Sequence, residues 1–368
     1  MASRRDALVA CAGVAAAILL AARYRRKRAH SQLMDDKFAV AVVDYTAADA
    51  AKKLTDSLKS TGFAVLTNSP VSDDLIQDVY SEWRQFMIRM HGEATNGLPN
   101  NLAQQYKFDL ARQDGYFPCA AAEQAKGAKA RDLKHYYQCY FPHGRYPREV
   151  SDKAEQLWTA LTAVGKTLVT WIDDNMPDEI KETIEQKIGK GAKLIDCVSD
   201  ERTMMRILHY PGSLGANEPP GAVRAAAHED INLITILPAG SSRGLQVKSN
   251  QSGEWYEVPL VPGSIVINVG DMMQEMSEHA YISTTHRVVK MESDTPAAEG
   301  AFGTGDRMST PCFIHLKEKC PMSDTYGSAE HYLKARLVTL GVLPSCVLDD
   351  FLTEFPGGVM PGWDPKTE

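Results

Sequence analysis

The spacing of hydrophobic and polar positions changes three times along the chain. The first stretch, "ALVACAGVAAAILLAA" (Ala7–Ala22), is sixteen residues without a charge, followed at once by "RYRRKR". From Phe38 the pattern shortens. "AVAVVD" (Ala39–Asp44) predicts a strand, "TAADAAKKLTDSLKS" (Thr46–Ser60) a helix with a polar start, and "GFAVLTN" (Gly62–Asn68) a second strand. "SDDLIQDVYSEWRQFMIRM" (Ser72–Met90) predicts an amphipathic helix. Leu157, Leu161, Val164, Leu168 and Trp171 recur every three or four residues, which predicts another helix with one apolar stripe facing the core.

After Gly191 the pattern becomes one of short β runs divided by Gly, Pro and Asn: "RTMMRILHY", "RAAAHEDINLITIL", "GLQVKS", "EWYEVP", "GSIVINVGD", "THRVVKM" and "RMSTPCFIHL". Many short strands with turn signals between them predict a sandwich or barrel, and an eight-stranded jelly roll fits the number. A last helix is expected near Ala329–Leu340. The fold class expected is therefore α+β: a double-stranded β-helix (jelly roll) core with a helical N-terminal region and a C-terminal helix. One run stands apart. "AAHEDINLITILP" (Ala226–Pro238) sets a histidine and two carboxylates into an otherwise apolar strand, where charge needs a partner.

Composition narrows the picture. With 368 residues, 44% hydrophobic and 24% charged, the chain can bury a substantial core. Its net charge is -7, yet residues 1–30 alone carry +6, so the body is at -13. An acidic body without a basic stripe argues against nucleic acid as a partner. The seven cysteines are odd in number and form no CxxC pair, which argues against a disulfide framework or a structural zinc site.

Residues two apart in a strand share a face, so His228 and Asp230 point one way and Glu229 the other. "STTHRVV" offers a third group, His286, in another β context. Two histidines and a carboxylate on one face form the facial triad of non-haem Fe(II) oxygenases, which leaves coordination positions open. A metal there would stabilise ionised Asp230 and neutral imidazoles. Further on, Arg307 and Ser309 in "RMSTPCF" alternate onto one face, suited to grip a carboxylate, and Tyr210 in "LHYPG" could add a hydrogen bond. Asn232 shares the inner face as either a hydrogen-bonding support for the ligands or simple strand structure. Arg206, four residues before Tyr210, and Arg224, four before His228, face inward on the same parity. Each is either paired with a structural carboxylate or awaits an anionic substrate.

These pieces together resemble a family. "GFAVLTNSPVSDDLI", "RAAAHEDINLITILP", "GLQV", "PGSIVINVGDMMQ", "STTHRVV" and "R-x-S-x-P-x-F" occur in the order found in 2-oxoglutarate-dependent Fe(II) dioxygenases of the isopenicillin N synthase-like group, and the likeness covers roughly residues 36–320. The resemblance implies that His228, Asp230 and His286 hold Fe(II), and that Arg307, Ser309 and Tyr210 bind 2-oxoglutarate. It implies O2 as second co-substrate and ascorbate as a supporting reductant. The implied reaction is oxidation of a small molecule in specialised metabolism, by hydroxylation, desaturation or ring closure; if Arg206 and Arg224 both serve the substrate, it carries carboxylates, and an amino-acid-derived acid would fit. Two departures stand out: Leu208 occupies a position where the family often has Asn, and "ESDTPAAEGAFGTG" lengthens the segment before Arg307. The alternatives are an Fe(II) oxidase of the same fold that uses no 2-oxoglutarate, and a non-catalytic, membrane-tethered binding module.

The expected organisation is an N-terminal segment (1–30), a mainly helical region (31–195), the jelly-roll core (196–320) and a C-terminal helical extension (321–368). As a helix the apolar run of the first segment would span about 24 Å, short of the roughly 30 Å hydrocarbon layer by an amount that snorkelling arginines can close. Its basic flank follows the run, so a membrane anchor would leave the body cytosolic. Organellar targeting is the other reading of an Ala- and Arg-rich start.

Overall fold

The computed structural model describes residues 38–119, 132–212, 223–290, 305–348 and 363–365. Val40–Glu368 forms one compact unit. Residues 7–22 and most of the insertion before Arg307 lie outside the described residues. Among those described, no helix is long and apolar enough to cross a membrane.

In chain order the elements begin with β1 (Ala41–Asp44), α1 (Ala50–Thr61), β2 (Phe63–Thr67) and α2 (Asp73–Thr95). Next come α3 (Leu102–Gln105), β3 (Gly115–Phe117), β4 (His135–Cys139), α4 (Lys153–Asn175) and α5 (Asp178–Ile188). The β-rich part runs through β5 (Val198–Tyr210), β6 (Ala225–His228), β7 (Ile234–Pro238), β8 (Leu245–Lys248), β9 (Trp255–Glu257) and β10 (Ile265–Val269). After α6 (Asp271–Met276) it resumes with β11 (His286–Val288), β12 (Arg307–Ser309) and β13 (Cys312–Leu316), and α7 (Ala329–Thr339) follows.

Two sheets result. The larger has the order β1-β2-β10-β7-β13-β5-β4-β3, with β12 also pairing to β5; the smaller is β6-β11-β8-β9. This is the jelly roll expected from the sequence, widened by strands from the N-terminal half. Every residue of β10, and all but Leu237 of β7, is buried, as expected for central strands covered on both faces. The covering helix is α4, where Leu157, Leu161, Val164 and Leu168 are buried as their spacing predicts. Truncating such a side chain to Ala costs about 2–5 kcal/mol. Trp171 departs from the stripe. It stacks on Tyr45 with ring centroids 5.0 Å apart, and Ile172 enters the core in its place.

The run 226–238 is not one strand. It is two strands in different sheets, β6 ending at His228 and β7 starting at Ile234, joined by a turn. The amide of Asp271 donates to the Asp230 carbonyl (2.7 Å), and that of Gly270 to the Leu233 carbonyl (3.0 Å). A Cβ on residue 270 would lie 2.0 Å from the Asn232 carbonyl oxygen, so only glycine admits this contact. The first turn of α6 therefore fixes the turn that carries Asp230.

Candidate active site

His228 and His286 are direct cross-strand partners in β6 and β11, with ring centroids 4.4 Å apart. Asp230 comes to them from the turn rather than from strand alternation. Its Oδ1 lies 3.8 Å from the Nε2 of each histidine, and one ligand atom from each of the three residues falls within 4.8 Å of the others.

Each imidazole is oriented from behind. His228 Nδ1 is 2.7 Å from the Ala226 carbonyl and His286 Nδ1 is 3.2 Å from the Thr284 carbonyl. A carbonyl only accepts, so Nδ1 carries a proton in both rings, and in the neutral tautomer Nε2 offers its lone pair on the Asp230 side. Asp230 Oδ2 accepts from Thr235 Oγ1 (2.6 Å) and Asn268 Nδ2 (2.8 Å), leaving Oδ1 toward the histidines. Burial alone would raise the Asp230 carboxyl; His286 and His228 beside it, with the Thr235 and Asn268 bonds, hold it below its ordinary value. Loss of hydration, then the proximity of His286, pushes half-buried His228 down to about 4. Two neutral imidazole nitrogens and an ionised carboxylate oxygen, converging with open space in front, are a donor set that fits Fe(II).

A cavity of about 60 Å³ joins these three residues to Arg307, Ser309, Tyr210 and Arg206. Arg307 pairs with Tyr210, and Ser309 with Leu208, across β12 and β5. The Arg307 guanidinium sits 5.2 Å from the centre of the Tyr210 ring, and Nε donates to the Ser242 carbonyl (3.1 Å). Nη1 is buried without a hydrogen-bond partner, a cationic donor awaiting an acceptor. Gly240 makes room for this side chain: a Cβ there would be 2.6 Å from Nη2.

A second cavity, of about 400 Å³, opens beside the histidine–aspartate cluster and is walled on the far side by Leu333, Arg336, Leu337 and Leu340 of α7 and its end. Arg206 borders both cavities. Gln138 Oε1 accepts from its Nε (3.1 Å) and Nη2 (2.9 Å), and the guanidinium faces the Tyr136 and Phe313 rings at 4.5 and 5.5 Å.

The other sequence expectations are placed differently. Arg224 borders neither cavity; it is buried and donates to the Gly305 carbonyl (2.6 Å). Asn232 makes no side-chain hydrogen bond to Asp230. Its Oδ1 is 3.2 Å from the Thr235 hydroxyl and its amide donates to the Ile234 carbonyl, so it acts through Thr235. The direct supports are Thr235 and Asn268, which the sequence pattern did not single out. Asn268 does carry a signal, as the single polar residue in "IVINV".

The chain matches the model of the 2OG-Fe(II) oxygenase superfamily over residues 202–316. It is also 37% identical to a Shewanella oneidensis protein named provisionally as an oxygenase, with a TM-score of 0.67, covering 83% of this chain and all of that one. The chain belongs to the 2-oxoglutarate/Fe(II) oxygenase superfamily. Among curated members, feruloyl CoA ortho-hydroxylase 1 of Arabidopsis thaliana is 26% identical over 79% of this chain and 74% of its own length. A full-length Neurospora crassa protein, solved in complex with alpha-KG, shares the fold at 21% identity and a TM-score of 0.60, over 83% of this chain and 97% of that one. Members of the superfamily use Fe(II), 2-oxoglutarate and O2, and this chain is a 2-oxoglutarate-dependent dioxygenase rather than a non-catalytic module.

Proposed function

We propose that His228, Asp230 and His286 hold the catalytic Fe(II), that Arg307, Ser309 and Tyr210 grip the distal carboxylate of 2-oxoglutarate, and that the large cavity takes a small carboxylate-bearing substrate for oxidation. The observation that carries this reading is that His228, Asp230 and His286, with converging ligand atoms, and Arg307, whose buried Nη1 has no hydrogen-bond partner, line one small cavity. Bound Fe(II) and 2-oxoglutarate supply the oxidising chemistry: for hydroxylation, one O2 is consumed, one oxygen atom enters the substrate C–H bond, and the other enters succinate as CO2 is released.

The protein's own residues do the rest. Asp230 and the two histidines would supply three ligands to the metal, all from one side. Arg307 orients 2-oxoglutarate by a charge-assisted contact in a site shielded from water. Arg206, at the junction of the cavities, bonds to the Gln138 amide and faces two aromatic rings, and its guanidinium is the cation we assign to an anionic substrate group. α7 closes the far wall, with Arg336 anchored to Asp271 at 3.0 Å.

The test is 2-oxoglutarate turnover in the presence of paired aryl-alkanoic acids and their neutral amides. The expected result is stimulation of succinate release by acids over amides, lost in Arg206→Gln. Equal stimulation by acid and amide would remove the anionic substrate from the account. We further propose that residues 7–22, with their basic flank, tether the enzyme to a membrane with its body on the cytosolic side. Deletion of residues 1–30 is then expected to move it to the soluble fraction, and a full-length protein already soluble would contradict this.

A further inference from the structure

Asp306, immediately before Arg307, is the meeting point of three groups, from α2, from β5 and from just beyond the end of β5, and has no place in the chemistry above. Its Oδ2 accepts from Arg84 Nε of α2 at 2.9 Å and lies 2.7 Å from Arg84 Nη2. Its Oδ1 accepts from the backbone amide of Gly212, just beyond the end of β5, at 2.6 Å. His209 Nε2 stands 3.2 Å from Oδ2, close enough for electrostatic pairing though not aligned as a good hydrogen bond.

Behind His209 the contacts continue into the N-terminal strands. His135 Nε2 is 2.6 Å from His209 Nδ1, and the Tyr116 hydroxyl is 2.8 Å from His135 Nδ1. Burial, with His209 next in effect, lowers His135 well below its ordinary value, so it stays neutral with one proton. A consistent order of donors then runs from Tyr116 through His135 and His209 toward the Asp306 carboxylate. Burial opposes ionisation of Asp306, but His209, the Gly212 amide and Arg84 together hold its carboxyl well below the usual range.

Gly305, the next residue back, is clamped as well, because its carbonyl accepts from buried Arg224. The two residues that lead into Arg307 are thus fixed by groups from α2, from the end of β5 and from the approach to β6. Arg307 itself has one backbone acceptor, the Ser242 carbonyl, and must hold Nη1 open. A side chain that keeps a buried donor free for a ligand needs its backbone set by something else.

We infer that Asp306 is a positioning residue for the co-substrate: its contacts with Arg84, the Gly212 amide and His209 fix the start of β12 so that Arg307 is pre-organised for the 2-oxoglutarate carboxylate. This rests on the assignment of Arg307 to 2-oxoglutarate. Asp306 does not line the cavity that holds Arg307 and the histidine–aspartate cluster. Its loss is therefore expected to raise the dissociation constant for 2-oxoglutarate while leaving the metal site intact.

The experiment uses the full chain, anaerobic, and measures Fe(II) and 2-oxoglutarate affinities separately for wild type, Asp306→Asn, Arg84→Lys and Arg307→Gln. For Asp306→Asn the expected result is 2-oxoglutarate affinity at least tenfold weaker, Fe(II) affinity within twofold of wild type, and succinate formation at saturating 2-oxoglutarate within threefold. Arg84→Lys, which keeps a positive partner for the carboxylate and guards against a folding failure of the first variant, is expected to show a smaller weakening of the same kind. If both variants bind 2-oxoglutarate within twofold of wild type, or lose iron and 2-oxoglutarate together, the positioning role is overturned. If Arg307→Gln itself leaves 2-oxoglutarate binding intact, the underlying assignment falls instead. The two failures are therefore distinguishable.

Discussion

The two ends of the small cavity are built in different ways. At the histidine end, support is mostly local: Ala226 orients His228 and Thr284 orients His286, each from two residues back, and Thr235 reaches Asp230 from five residues on. Asn268, 38 residues away, and the amide of Asp271, which holds the Asp230 carbonyl, are the more distant partners. At the arginine end, support comes from far along the chain. Ser242 is 65 residues from Arg307, Arg224 is 81 from Gly305, and Arg84 is 222 from Asp306. Locally built sites keep their geometry through loosening elsewhere, whereas a site assembled from distant segments depends on their mutual packing. The metal end should therefore be the robust one and the co-substrate end the sensitive one.

The most severe way to break this contrast is Asp230→Ala. With one of three ligands gone, iron-dependent succinate formation is expected to fall below detection in a protein that still folds, because the removed group is a buried carboxylate. Turnover within tenfold of wild type would mean that Asp230 does not hold the metal. Next in size is Arg307→Gln, which removes a buried charged donor worth about 2–3 kcal/mol, or about 30- to 150-fold in 2-oxoglutarate affinity. Iron affinity measured on the same sample should not move.

Asn268→Ala takes one hydrogen bond from Asp230 and is expected to weaken iron binding about tenfold, the lower end for an outer support of a metal ligand. Chelator competition would measure it, and an effect on 2-oxoglutarate without one on iron would reverse the contrast. Gly240→Ala is the mildest change. Its methyl would stand 2.6 Å from Arg307 Nη2, displacing the guanidinium at about 1 kcal/mol, or roughly fivefold in 2-oxoglutarate affinity, with iron untouched.

The same contrast explains what could be read in the sequence. His228, Asp230, His286, Arg307 and Ser309 stand in short runs whose residue types already carry the chemistry, and the structure brings all five to one cavity. Strand alternation is not, however, what puts His228 and Asp230 together. Alternation is broken by a turn between two sheets, and what fixes that turn is the close approach of Gly270 from a later segment. Arg224 has the inward parity expected of a substrate contact, but it bonds to the Gly305 carbonyl, a backbone group that no side-chain pattern marks. His209 lacks a partner in sequence because Asp306 and His135 converge on it only through the pairing of β4, β5 and β12. The apolar stripe of α4 is legible, apart from the exchange of Trp171 for Ile172, since a helix fixes its faces by local geometry.

The most direct test of the central claim is an anaerobic absorbance titration of the Fe(II)-loaded enzyme with 2-oxoglutarate, beside His228→Ala and Arg307→Gln. The assignment predicts a visible charge-transfer band in wild type. It should be lost in His228→Ala, and in Arg307→Gln it should form only at 2-oxoglutarate concentrations tens of times higher. A band of wild-type strength and affinity in either variant would contradict the assignment of that end of the cavity.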